Sequence, residues 1–228
     1  MLLSSLAAAD VVTEWNEKAA TCINEVKQLP FVGTRTMATM HVAMFDAVNS
    51  IEGRYAPYKV KVAAAPGSSS DAAAVAAAHA TLVKLFPDQK TMPDAEYEKS
   101  LAKISDNGKQ AGVSVGEKVA AEMLALRDSD GWDSPNRYRP LTTAGTYVTT
   151  NLPIAYNWGV VKPWTLESSS QFRPGPPPAL SSAEWARDYN EIKTVGAKKS
   201  TLRTPEQTTI ARFWVITGPA SWDRWCAN

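Results

Sequence analysis

Residues 35–51 read RTMATMHVAMFDAVNSI. Met37, Met40, His41, Met44, Phe45 and Val48 recur at the spacing of one helix face. The other faces are mostly Ala, Thr and Val, so the pattern predicts a helix buried nearly all round. Arg35, His41 and Asp46 interrupt it. They are either a reactive site or polar residues held inside a core.

Helix geometry separates them. At about 100° per residue, Arg35 and His41 project roughly 120° apart. Asp46 shares a face with Arg35 but sits three turns away, roughly 16 Å along the axis. One straight helix cannot converge all three on a small ligand. His41 therefore reads as a hydrogen-bonded core histidine. Asp46 reads as a buried acceptor for capping or loop N–H groups, because an unpaired buried charge is very costly. Arg35 reads as a structural ion-pair partner or a contact to another bundle. None of the three is assigned a catalytic, cofactor-binding or metal-binding role.

Working outward, Val12, Trp15, Ala19, Cys22, Ile23 and Val26 predict an amphipathic helix over 10–28, broken by Pro30 and Gly33. Residues 52–69 read as a loop. Asp71 is a candidate cap for a third helix carrying Val75, Ala78, His79, Leu82, Val83 and Phe86. His79 on that apolar stripe reads as core. Asp94 is a candidate cap for a fourth, with Tyr97, Leu101 and Ile104. A fifth follows Asn107-Gly108 with Val115, Val119, Met123 and Leu126, and stops at Asp128–Gly131.

Residues 131–180 hold eight of the fifteen prolines and no helical or alternating period. Trp132, Tyr138, Tyr147, Tyr156, Trp158, Trp164 and Phe172 are spread through them. Disordered linkers are poor in aromatics, so the segment predicts an ordered wrap, with a short hairpin around Tyr147–Thr150. Ser181-Ser182-Ala183-Glu184 and Thr204-Pro205-Glu206-Gln207 read as capping boxes. They open helices carrying Trp185, Tyr189 and Ile192, and then Ile210, Phe213 and Trp214. The expected fold is an all-α helical bundle of about six to eight helices with a long Pro/aromatic-rich irregular segment at 131–180.

The 228 residues carry 24 basic and 23 acidic side chains. That balance argues against nucleic acid as a partner, and no apolar run reaches the roughly 20 residues of a membrane span. Cys22 and Cys226 have no metal-type spacing, and Cys22 on an apolar stripe predicts a buried free thiol. Residues 1–9, MLLSSLAAA, read as a signal-peptide remnant or a disordered start, which points to an extracytoplasmic, periplasmic or secreted, origin. Trp222, Trp225 and Cys226 so near the end suggest a chain cut while entering another helix. Lys198-Lys199 with Arg203 reads as a solvated basic face. Gly175-Pro176-Pro177-Pro178 reads as a rigid bend, and Asp128, Asp130 and Asp133 as an incomplete cation loop.

Three stretches carry a resemblance: RTMATMHVAMFDAVNSIEGRYAPY (35–58), KPWTLESSSQFRPGPPPALSSAEWARDYNEIK (162–193) and RTPEQTTIARFW (203–214). They resemble the N-terminal half of bacterial vanadium-dependent haloperoxidase-like proteins, in the superfamily that includes type 2 phosphatidic acid phosphatases. The resemblance implies two all-helical bundles with the active site in the C-terminal one. It implies vanadate as cofactor, or phosphate in the phosphatase relatives, and peroxide-dependent halide oxidation. A tetrahedral oxyanion needs a cationic cradle and backbone N–H groups. The family supplies these through a lysine seven positions before the arginine of an Arg-Pro, a Ser-Gly-His, and a late arginine with histidine six positions on.

This chain departs from all three. Seven residues before Arg139-Pro140 and Arg173-Pro174 stand Trp132 and Leu166. No Ser-Gly-His occurs, and the only histidines are His41 and His79. Arg35 and His41 have the third spacing, but they come first where the family's motif comes last. The expectation is a non-catalytic N-terminal half that binds no cofactor itself. Its expected partner is a C-terminal catalytic bundle or a second copy of the chain. A phosphatase on the same scaffold and a free-standing helical binding module are the alternatives.

Overall fold

The computed structural model describes residues 10–105, 107–135 and 137–215. Among them there are seven α-helices and no strand: α1 (Val11–Glu25), α2 (Pro30–Glu52), α3 (Ser70–Leu85), α4 (Thr91–Lys103), α5 (Lys109–Asp128), α6 (Ala183–Val195) and α7 (Pro205–Phe213). The all-α expectation holds. The signal-like start and the Trp222–Cys226 end lie outside the described residues. The chain forms two compact units: α1 to α5 belong to the first, and the second begins at Asp130.

In the first unit the helix boundaries follow local chemistry. Asp10 caps α1, accepting from the Thr13 N–H at 2.8 Å and its hydroxyl at 2.9 Å. Pro30 opens α2, where a missing N–H costs nothing. Gly53 closes it with φ +63°, a left-handed conformation that glycine adopts without a Cβ penalty. Gly33 does not break the helix but sits in its first turn. Neither aspartate proposed as a cap is one. Ser69 caps α3 through the Ala72 N–H at 3.2 Å, two residues ahead of Asp71. Asp94 lies inside the first turn of α4, where its carboxylate serves side chains instead.

The helix buried all round is α3, not α2. Ala72 through Ala78 are all buried, and α3 packs against α1, α2, α4 and α5. Alanines let four neighbours approach closely. α2 keeps an open strip, with Phe45 41 % exposed and His41 half-buried. The tightest approach is α3 on α5. A Cβ at Gly112 would lie 2.2 Å from the Ser69 carbonyl oxygen, and one at Gly116 would lie 2.2 Å from that of Ala73. Only hydrogen fits there, so backbone meets backbone along this seam. The Ser69 N–H also donates to the Gly108 carbonyl at 3.1 Å, pinning the start of α3 to the start of α5.

α4 is attached differently. Only Pro93, Glu96 and Ser100 of its residues are buried. Tyr97, Leu101 and Ile104 rest half-buried on Ala72, Ala76 and Val113. On α5 the apolar face runs Val115, Val119, Met123 and then Arg127, which is buried, while Leu126 is exposed. The expected stripe was thus one residue off at its end.

In the second unit no strand forms at Tyr147–Thr150, and the irregular segment contains one 3₁₀ turn, Tyr156–Val160. Tyr138 and Tyr156 meet edge to face at 5.0 Å. Neither α6 nor α7 buries a residue. The cap of α6 is Ser182, accepting from the Trp185 N–H at 3.1 Å, so Trp185 occupies the third position and the expected box through Ser181 and Glu184 does not form. Thr204 and Gln207 do form the reciprocal box, at 3.1 and 2.9 Å. Arg203 is structural rather than a solvated cation. Its Nη1 donates to the Val195 and Ala197 carbonyls at 2.8 and 3.0 Å, and its Nε to Thr208 Oγ1 at 3.1 Å.

Candidate functional site

α2 carries the three polar residues singled out in the sequence, and the structure sends each to a different neighbour. His41 Nε2 meets Asn16 Oδ1 of α1 at 2.8 Å. Arg35 is buried, and its Nη2 donates to the Arg127 carbonyl at the end of α5 at 2.7 Å. A guanidinium near the last carbonyls of a helix also complements the negative end of its dipole.

Asp46 is fully buried. Its Oδ1 accepts from the Tyr58 N–H at 2.6 Å, and its Oδ2 from the N–H groups of Lys59 and Val60 at 3.0 and 2.9 Å. Asn49 and Ser50 lie one turn on and join it. Asn49 pairs with both the N–H and the carbonyl of Tyr55, at 2.8 and 2.7 Å, and Ser50 Oγ accepts from the Val62 N–H at 3.2 Å. Positions 46, 49 and 50 share a helix face, so this face of α2 lashes down the strandless segment 55–62. A carboxylate with both oxygens occupied by backbone donors is a poor general base.

Arg127 and Tyr58 border the same region. Burial pushes the Tyr58 hydroxyl above its ordinary value, the Arg127 guanidinium opposes that rise, and the Asp46 carboxylate adds to it. Arg127 was not foreseen as a core residue. Its signal was there: it falls four residues after Met123, on the row that includes Val115 and Val119.

The second polar centre was not anticipated. His79, on α3, presents Nε2 to Asp94 Oδ1 at 2.8 Å, and Lys90 pairs with the other Asp94 oxygen. The His79 ring stacks on Tyr97 at 4.2 Å and meets Trp15 edge-on at 6.3 Å. Lys90 first, and His79 after it, hold the Asp94 carboxyl below its ordinary range. Beside this cluster, Glu96 is buried and pairs with Lys18 of α1 at 3.1 Å and with Lys99 at 3.4 Å. Burial pushes the Glu96 carboxyl up, but the two lysines outweigh it and the group titrates below its ordinary value. Glu14 and Lys103 close the row at 2.6 Å. The i, i+4 spacing of Lys90 and Asp94 was legible; their convergence on a histidine fifteen positions back was not.

Cys22 is a buried free cysteine, and burial, with Glu25 nearby, pushes its thiol up to about 11, which makes it a poor nucleophile. Among the described residues no group of three or more His, Cys, Asp or Glu side chains is placed to hold a metal ion. Asp130 turns its Oδ1 to the Trp132 N–H at 3.1 Å. No helix among the described residues is long and apolar enough to cross a membrane. No protein-family model, curated protein or solved structure matches the chain.

Proposed function

We propose that this chain is the N-terminal, non-catalytic helical part of a vanadium-dependent haloperoxidase-like protein. Its work is to pack against a C-terminal catalytic bundle, and residues 131–180 border the entrance to that bundle's site. Vanadate belongs to the bundle; the polar residues of this chain serve its own fold. The setting that goes with this reading is extracytoplasmic. A phosphatase built on the same scaffold would use this part in the same way.

The observation that carries the reading is α6. The helix is capped at both ends of its sequence pattern, and Trp185, Tyr189 and Ile192 form an apolar stripe, yet none of its residues is buried. Amphipathic helices form to cover a surface. The same holds for Ile210 and Phe213 of α7 and for the exposed side chains Tyr147, Leu152, Ile154 and Phe172. Exposed apolar area on this scale marks an interaction face. The resemblance names the occupant, because 162–193 and 203–214 are the stretches that precede the catalytic bundle in that family.

Purified chain mixed with vanadate, peroxide and bromide should leave a phenolic indicator dye unbrominated. Co-expression with the coding region that follows Asn228 should yield a stable complex that brominates it. Bromination by this chain alone, or a downstream region lacking any histidine-bearing helical bundle, would overturn the reading.

A further inference from the structure

The attachment of α4 carries an inference that does not depend on the proposed function. α4 is fixed to its neighbours by a row of ion pairs beside a narrow apolar face. Lys18 of α1 reaches Glu96 at 3.1 Å, Glu14 of α1 reaches Lys103 at 2.6 Å, and His79 of α3 reaches Asp94 at 2.8 Å. Its apolar contacts are the buried Pro93, the Tyr97 ring stacked on His79, and Tyr97, Leu101 and the adjoining Ile104 half-buried on a floor of Ala72, Ala76 and Val113. One of its buried groups, Ser100 Oγ, has no hydrogen-bond partner. The rest of the unit does not need α4 to stay closed. The Ser69–Gly108 bond and the glycine seam join α3 directly to α5 on either side of the segment that contains it.

We propose that α4 is an acid-released strap: protonation of Glu96 and Asp94 frees residues 87–104 from α1 and α3 as one piece, while α1, α2, α3 and α5 stay packed. The charged groups that face it fix the direction. Lys90 and His79 face Asp94, Lys18 and Lys99 face Glu96, and Lys103 meets Glu14. Glu117 of α5 acts on Tyr97, whose hydroxyl burial pushes up. Every carboxylate in contact with a partner here meets a cation, so losing its charge removes attraction. Both carboxyls lie below their ordinary values when α4 is docked. The docked form therefore binds fewer protons than the released one. Its advantage is complete above the ordinary carboxylate range and is lost as pH falls below that range, through the lowered values of the docked form. Release uncovers the Tyr97 face of His79 and the alanine floor.

Hydrogen exchange read by mass spectrometry on the whole chain tests this, with rates corrected for the intrinsic effect of pH. Between pH 7 and pH 3, amides of 94–103 should lose about tenfold in protection, while those of α3 and α5 are unchanged. Glu96→Gln, which removes the charge from its hydrogen bonds to Lys18 and Lys99, should give about a tenfold loss in α4 alone at pH 7. Glu122→Gln, on the exposed face of α5, should change nothing. Equal loss in α3, α4 and α5 on acidification, or an α4 insensitive to both acid and Glu96→Gln, would overturn the proposal. If Glu96→Gln fails to fold, the pH series on the unaltered chain decides alone.

Discussion

The two units of this chain use hydrophobic residues in opposite ways. Through Ser129 the core is built from small side chains. Ala72 to Ala78 are buried, Gly112 and Gly116 bring backbones into contact, and Trp15 is the one large aromatic with no exposure. From Asp130 onward the side chains are larger and more aromatic, yet Leu152 is 87 % exposed and Tyr147 80 %. Hydrophobicity alone does not make a core. A row of small residues at helical spacing closes on itself, because its partners need only approach. A row of Trp, Tyr and Ile on one short helix needs a second surface of matching shape, and among the described residues α6 and α7 bury none of their side chains.

Urea unfolding of point variants probes this contrast, since the midpoint follows stability at constant slope. The largest loss is expected for Asp46→Ala. It leaves three N–H groups of 58–60, that of Val60 buried and those of Tyr58 and Lys59 part-buried, without their charged acceptor. Removing charge-assisted bonds of this kind costs about 4 kcal/mol in all. Asp46→Asn should recover only part of that, because its amide turns donors toward donors. A loss under about 1 kcal/mol would mean that segment 55–62 is not fastened by α2.

Gly112→Ala comes next. Its Cβ would be 2.2 Å from the Ser69 carbonyl oxygen, a backbone atom that cannot swing away. Forcing the α3–α5 seam apart should cost about 3 kcal/mol, the upper range for overpacking. An unchanged midpoint would show that the seam is looser than the contact distances say.

Smaller effects are expected in the second unit. Thr204→Ala removes the capping box of α7, worth about 1 kcal/mol to that helix. Faster amide exchange at Gln207 and Thr208 would record it. Ile192→Ala should be nearly silent, within about 0.5 kcal/mol, because the side chain is 71 % exposed. A loss above about 1 kcal/mol there would break the comparison, since it would require that the α6 stripe be covered by the chain itself.

The helices of the first unit were legible because each pairs a 3.6-residue period with a punctuating residue. Pro30 marked the end of the first helix and Asn107-Gly108 preceded α5, although Pro30 is also the first residue of α2 and Gly33 lies inside it. Two cap assignments went astray for one physical reason. Asp71 and Asp94 each fall within the first turn, where an acid also suits the helix dipole, so composition cannot distinguish a cap from its neighbours. The Ser181 assignment slipped by one residue because two serines adjoin. Burial was misjudged between α2 and α3. Methionine and phenylalanine in α2 look more like a centre than alanine does, but the centre of a five-helix unit goes to the helix that the most neighbours can approach.

The polar residues divide along the same line. That Arg35, His41 and Asp46 cannot meet on one ligand follows from helix geometry, and was fixed by their spacing. Which groups they meet did not follow. The partners of Asp46 are twelve to fourteen residues away, and Arg127, which accepts from Arg35, is ninety-two away. The chain sequence determines periodicity, caps and the angular separation of side chains, because these depend on residues within a turn of one another. Only the tertiary structure decided that α3 lies at the centre, that α4 is held by ion pairs and that Asp46 fastens a loop. Those outcomes depend on which distant surfaces come within reach, and short-range spacing carries no record of that.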